Sequence, residues 1–237
     1  MNSYIDCHSH ILYGIDDGAK TIDASIKIIK NMINLGFKSI VLTPHYRGNY
    51  LTNNKEKKLR LFNLNEELKN QNIDIKLYLA NEVKITSNIL DLIKEDEISL
   101  LGNYLFLELP FDTKIYNLDK IIYELQSNNI NIILVHPERY SYFKKEDFEK
   151  LIASDVLFQV NYESIIGKYG LDSKNKVKYL YKNNMVSFVA SDVHSSSTIM
   201  FSKFDIIKKK IIKLVGEETF NDITYNNINK IISELKK

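Results

Sequence analysis

Seven short runs rich in β-branched, leucine and aromatic residues recur along this chain of 237 residues, separated by stretches with helical spacing. The runs lie near 4–7, 39–43, 75–80, 104–108, 132–135, 157–160 and 187–190. Strands alternating with helices build a mostly parallel sheet, because each helical crossover returns the chain to the same end of the sheet. Helical patterns fall at about 21–35, 54–70, 87–95, 118–128, 145–154 and 174–183, with two more after Thr198. The clearest is 21–35, where Ile22, Ile26, Ile29 and Ile33 share one face. Thr21 and Asp23 suit its start, and Gly36 its end.

No linker, repeat or low-complexity segment divides the chain, so a single domain over 1–237 is expected. A net charge of +2 gives no electrostatic footprint for nucleic acid. No apolar run approaches the roughly 18 residues that would make a membrane-spanning helix, and the N-terminus lacks a charged leader followed by an apolar run. The one cysteine, Cys7, can form no intrachain disulfide, which suits a reducing compartment. A cytoplasmic protein is the expectation; oligomerisation is left open.

The chemistry is carried by five histidines, His8, His10, His45, His136 and His194, each at or just after an expected strand end. Carboxylates accompany them: Asp16, Asp17, Glu82, Glu108 and Asp192. In an α/β barrel the C-terminal strand ends converge on one face, so residues distant in sequence meet there. This placement favours a closed or nearly closed barrel over an open sheet. In Asp6-Cys7-His8-Ser9-His10, a continuing strand would put Asp6, His8 and His10 on one face and Cys7 on the other. Asp192 and His194 repeat the two-residue spacing. Any one of these residues alone reads as a turn, a surface group or a satisfied core residue; their clustering points to a shared metal site. Imidazole with carboxylate suits Mn, Fe or Zn better than Ca or Mg.

Together Asp6-x-His8-x-His10, Thr43-Pro44-His45, Asn81-Glu82, Glu108, His136-Pro137-Glu138-Arg139-Tyr140 and Ser191-Asp192-x-His194 resemble the polymerase-and-histidinol-phosphatase (PHP) superfamily. The Asp16-Asp17-Gly18-Ala19-Lys20-Thr21 segment and the Glu138-Arg139-Tyr140 triplet resemble its bacterial protein-tyrosine phosphatases of capsule and exopolysaccharide operons. The resemblance implies a distorted (β/α)7, TIM-like barrel with three divalent or trivalent metal ions. It implies that His8, His10, Glu82 and Asp192 hold one ion, that Glu82 is shared with a second completed by Glu108 and His136, and that Asp17, His45 and His194 hold a third. Asp17 is preferred to Asp16 as the acid directly before Gly18.

The implied activity is hydrolysis of phosphotyrosine on the tail of a bacterial tyrosine kinase that governs polysaccharide synthesis and export. Metal-activated hydroxide would attack phosphorus in line. Arg139 is the first candidate to grip the phosphate oxygens and Arg47 the second, a solvated loop arginine being the other reading for Arg47. Tyr13, Tyr46, Tyr140 and Tyr142 lie near the motifs and are candidates to stack on a phenol ring. Cysteine-based phosphatase chemistry is excluded, since Tyr13 and not arginine stands six residues after Cys7, which is expected to pack outside the barrel. Alternatives on the same scaffold are a small-molecule phosphatase of the histidinol-phosphate type, a phosphodiesterase or nuclease, and a non-catalytic module regulating a kinase. The last draws on Lys203 and Lys208–Lys210, which read either as a docking surface or as the solvated face of a helix covering the barrel.

Overall fold

The computed structural model describes residues 3–235. Its strands are β1 (Tyr4–Asp6), β2 (Phe37–Leu42), β3 (His45–Tyr46), β4 (Lys76–Leu79), β5 (Glu82–Lys84), β6 (Tyr104–Glu108), β7 (Asn131–Val135), β8 (Leu157–Asn161) and β9 (Phe188–Ala190). All ladders between them are parallel, in the orders β1-β2-β4 and β3-β5-β6-β7-β8-β9. The two sheets form seven staves, because β3 continues β2 past Thr43-Pro44 and β5 continues β4 past Ala80-Asn81. The ring closes beyond the strand ends, where Ser9 bridges Val193 in parallel and the His10 and Asp192 amides donate to Val193 and His8 at 3.0 Å each. The expected α/β barrel is therefore present, with two staves broken at points the apolar pattern did not mark.

Helices α1 (Ile22–Asn34), α2 (Asn54–Asn70), α3 (Ile89–Lys94), α4 (Leu118–Ser127), α5 (Lys145–Ala153) and α6 (Gly170–Lys182) supply the crossovers, and α7 (Ile199–Asn221) and α8 (Asn227–Glu234) follow. α1 matches its sequence pattern: Thr21 Oγ1 accepts from the Ala24 amide, Ile26 and Ile29 are buried, and Gly36 turns the chain at φ +98°. α7 buries Phe204, Ile207 and Ile211 and exposes Lys203, Lys209 and Lys210, an exposure common to both readings of that run, until Gly216 interrupts it at φ +85°.

Alternation along the strands separates two apolar layers. Leu105, Leu107, Ile132, Leu134, Phe158 and Val160 pack outward under the helices. Ile5, Cys7, Val41, Ala80, Phe106, Ile133, Val135, Phe188 and Ala190 pack inward, joined by Ile228, Ile231 and Ile232 from α8. Cys7 thus belongs to the inner cluster, contrary to the expectation that it packs outside. Alternation from β1 continues through Cys7 and fails beyond it, where His8 also reaches the barrel mouth. Asp6 leaves the histidines to accept from the Ser191 amide and hydroxyl at 2.8 and 2.5 Å.

The broken staves are held by a buried polar knot. Asn81 Nδ2 donates to the Pro44 carbonyl at 2.8 Å, and Asn81 Oδ1 accepts from the Ser99 amide at 2.9 Å and from Lys57 Nζ at 2.6 Å. Lys57 is fully buried on α2 and also donates to the Glu97 carbonyl at 3.0 Å. Removing one partner of such a knot costs more than removing both. In chelator, Asn81→Ala is expected to lower stability to urea by about 2–4 kcal/mol, and adding Lys57→Met to recover part of that loss. Equal losses for the single and double variants would contradict this role.

Candidate metal centre

All five histidines meet at the C-terminal mouth of the barrel. The His10 ring lies 4.0 Å from His194, 4.3 Å from His45 and 5.2 Å from His8, and His8 lies 5.9 Å from His136. Glu82, the first residue of β5, stands among them, fully buried. Its Oε2 is 2.8 Å from His45 Nδ1, 3.2 Å from His10 Nε2 and 3.4 Å from His8 Nε2. Neither Glu82 Oε2 nor His45 Nδ1 nor His136 Nδ1 has a hydrogen-bond partner among the described residues. Buried polar atoms are rarely left so, and a lone carboxylate oxygen facing imidazole nitrogens is a natural place for a cation.

Three sets of side chains each bring one ligand atom per residue to within 4.8 Å of one another: His10, Asp17, His45 and His194; His8, His10 and Glu82; and His45, Glu82 and Glu108. His45 sits between two sets, with Nδ1 toward Glu82 and Nε2 3.4 Å from Asp17. Asp192 Oδ1 is 3.4 Å from His10 Nε2 and 3.7 Å from His8 Nε2, and His136 Nε2 donates to Glu82 Oε1 at 2.8 Å. Every metal-site candidate read from the sequence is therefore at this mouth. His136 and Asp192 are aimed there by left-handed backbone at φ +37° and +50°, turning the chain sharply where β7 and β9 end.

The imidazoles are oriented from behind. His8 Nδ1 donates to Gln159 Oε1 and His10 Nδ1 to Asp16 Oδ2, both at 2.7 Å, which leaves each Nε2 facing the centre. Asp16 also accepts from the Gly18 and His45 amides at 2.9 Å, so it fastens the turn, while Asp17 presents its carboxylate. A Cβ at position 18 would lie 2.0 Å from the His10 carbonyl oxygen, so only glycine fits there. Gln159 Nε2 donates to Asn161 Oδ1, and Asn161 Nδ2 to Asp192 Oδ2, at 2.9 and 2.7 Å. Neither amide was singled out in the sequence. Their signal is two polar residues at inward-facing alternate positions of an otherwise apolar strand.

Both candidate arginines are at the site. Arg139 Nη1 donates to Asp192 Oδ2 at 3.1 Å, and its guanidinium lies between Phe111 and Tyr169, 4.6 and 4.3 Å from their ring centres. Arg47 is not a free loop residue: Nη1 reaches both oxygens of Glu108 at 3.0 Å, and Nη2 lies 3.6 Å from Asp17. The tyrosines read from the sequence fare differently. Tyr140 is buried and bridges the Val135 carbonyl and the Leu109 amide, Tyr46 is buried beside Lys57, Tyr13 packs on Arg60, and the Tyr142 hydroxyl is buried. The Tyr140 ring lies 5.9 Å from His136, and the rings of Tyr50, Phe111 and Tyr169, not named from the sequence, also stand beside the histidines or Arg139.

Charge at the mouth is strongly coupled. Burial opposes ionisation of Glu82, but His8 and His45 hold its carboxyl well below the usual range. Burial likewise opposes charge on His10, yet the Asp16 carboxylate holds its pKa well above the ordinary value. Burial, aided by the nearby Arg139 charge, drives His136 down to about 4 against the pull of Glu82, so its imidazole is neutral and a competent ligand. The hydrogen bond from His194 is the largest influence on Asp17 and helps hold it at about 2.

The family model for capsular polysaccharide synthesis proteins, CpsB/CapC, matches residues 4–233. The chain is 30% identical over 219 residues to a putative tyrosine-protein phosphatase CapC of Staphylococcus aureus, covering 90% of this chain and 86% of the relative. It is 29% identical over 202 residues to the tyrosine-protein phosphatase YwqE of Bacillus subtilis, covering 83% and 80%. Among solved structures, one described with YwqE of Bacillus subtilis and CpsB of Streptococcus pneumoniae as unique metal-dependent tyrosine phosphatases superposes with a TM-score of 0.89 at 24% identity, covering 97% of this chain and 94% of the other. A histidinol phosphate phosphatase of Lactococcus lactis shares the fold at a TM-score of 0.56 and 15% identity, covering 88% and 93%. The branch expected from the motifs is the one matched, and the chain belongs to the CpsB/CapC family.

Proposed function

We propose that this chain is a metal-dependent phosphatase that hydrolyses phosphotyrosine in proteins, with the tail of a bacterial tyrosine kinase controlling polysaccharide synthesis and export as its substrate. The observation that carries this reading is Glu82 Oε2, buried within 3.4 Å of three imidazole nitrogens and hydrogen-bonded to none. Relatives named as tyrosine-protein phosphatases support the substrate class.

The ligand set is assigned to three ions of Mn, Fe or Zn. His8, His10, Glu82 and Asp192 serve one; Glu82, Glu108 and His136, with His45 within reach, serve a second; Asp17, His45 and His194 serve the third. Bound there, the ions supply the positive charge and water activation that phosphate-ester hydrolysis needs. The chain does the rest. Gln159 and Asp16 hold His8 and His10 in the tautomers that leave Nε2 free for metal. Arg139, braced by Asp192 and two aromatic rings, presents a guanidinium to the phosphate oxygens. Arg47, held at the site by Glu108 and Asp17, is the second candidate to bind the phosphate. Tyr50, stacked beside His45, is the candidate ring for the phenol of the substrate, while Phe111 and Tyr169 hold the Arg139 guanidinium. A phenol with a pKa near ~10 leaves as phenolate with little acid assistance, which fits the lack of an assigned general acid.

Elemental analysis of purified protein is expected to find close to three metal equivalents per chain, with His8→Ala losing metal and activity together and Asp17→Ala losing part of the metal. Arg139→Ala is expected to keep its metal and to lower kcat/KM on a phosphotyrosine peptide by about 10²–10³. Faster turnover of histidinol phosphate than of the peptide would overturn the substrate assignment.

Proton release on metal binding gives an independent check. His10 has its pKa raised above the ordinary value in the metal-free protein, so it holds its proton near neutrality and must release it to bind metal. Apparent metal affinity should rise with pH through the neutral range. Calorimetry in buffers of different ionisation enthalpy should count at least one proton released per chain; a count of zero would contradict the ligand role of His10.

A further inference from the structure

A groove runs from the mouth of the barrel down the outside, between the 162–166 turn with α6 on one side and α7 on the other. Lys168, Lys174, Lys178, Lys203, Lys210 and Lys213 line it, and Ile166, Ile199 and Ile206 give it an apolar floor. Its two adjoining hollows hold about 370 and 200 Å³. Along α6 and the part of α7 before Gly216, nine lysines accompany only two carboxylates, Asp172 and Asp205, and Asp172 is already paired with Lys176. Among the described residues, Lys174, Lys178, Lys203, Lys210 and Lys213 pair with no carboxylate. Ile199 and Ile206 remain 37% and 50% exposed. Gathering like charges around one hollow costs self-repulsion, which an anionic occupant would relieve.

The upper end of the groove touches the site. Lys168 Nζ lies 5.3 Å from the Tyr169 ring centre, and the other contact of that ring is Arg139 at 4.3 Å. We propose that this groove is a docking channel for an acidic peptide segment adjoining the phosphotyrosine that enters the metal site. The inference rests on the proposed function and adds a second determinant of specificity to it. A concave channel with alternating lysines and an apolar floor fits an extended chain carrying both acidic and apolar residues. A membrane would call for a protruding face instead. Such charges steer encounter and are screened by salt.

The test compares two phosphotyrosine peptides of equal length, one with an acidic flank and one with a Ser/Gln flank, and p-nitrophenyl phosphate as a flankless ester. Wild type is expected to favour the acidic peptide by about tenfold in kcat/KM, through KM, and to lose most of that preference in about 0.5 M salt. The Lys174→Glu/Lys203→Glu/Lys210→Glu variant is expected to lose the preference while its p-nitrophenyl phosphate turnover stays at the wild-type level. Absence of a preference, a preference that survives charge reversal, or an equal fall on all three esters would overturn the channel. Lysine-dependent binding to phosphatidylserine vesicles without any peptide preference would overturn it in favour of a lipid surface. If wild type hydrolyses no phosphotyrosine peptide, the proposed function fails, and the channel is judged by fluorescence anisotropy with the acidic peptide lacking phosphate. The variant must then bind at least about tenfold more weakly than wild type for the channel to stand.

Discussion

The site depends on one electrostatic constraint: an ionised carboxylate, Glu82, is buried at the mouth of a barrel among imidazoles that cannot all satisfy it. Removing a carboxylate from water costs several kcal/mol even after relaxation, so a bare Glu82 requires compensating positive charge. The chain supplies part of it through His8 and His10, whose pKa values the neighbouring carboxylates raise against burial. Arg47 performs the same service for Glu108, whose carboxyl burial and the neighbouring Glu82 push up to about 7. Cations bound among these groups would relieve both carboxylates at once, which makes stability and catalysis two consequences of one charge arrangement.

The barrel makes that concentration of charge sustainable. Breaks in two staves let His45 and Glu82 re-enter as neighbours in register, paired across β3 and β5. The Asn81–Lys57 knot satisfies the backbone that the breaks expose. Closure through residues after β1 and β9 places His8, His10, Asp192 and His194 on one seam of the ring. The apolar inner layer, plugged from below by α8, leaves the polar groups only the upper mouth to occupy.

Much of this was legible in the sequence because it rests on period and position. Strand and helix runs are apolar patterns, and histidines that always follow a strand converge once the strands are parallel. What was not legible depends on where a strand stops. Alternation from β1 holds through Cys7, so Asp6 turns to Ser191 and Cys7 packs inward with Ile5, and it fails only beyond Cys7, where His8 reaches the mouth. The two-residue β3 is too short to produce an apolar pattern, and Pro44 before it reads as a terminus. Proximity in sequence does not show what a tyrosine is used for: Tyr140 follows Arg139 and its ring lies 5.9 Å from His136, yet its hydroxyl is taken by two backbone groups, whereas Phe111 and Tyr169, which hold Arg139, come from other loops. For Arg47 the sequence left a phosphate-gripping role and a solvated loop arginine open, and the tight 47–50 turn that folds it over Glu108 has no signature in the apolar pattern.

The most direct measurement is anomalous diffraction from crystals grown with Mn²⁺, Fe²⁺ or Zn²⁺. Peaks should appear within about 2.0–2.3 Å of Glu82 Oε2 and of the His8, His10 and His45 ring nitrogens, with Arg47 displaced from Glu108. A map with no peak among these side chains, and the Arg47–Glu108 pair intact at saturating metal, would contradict the reading of this mouth as a metal centre.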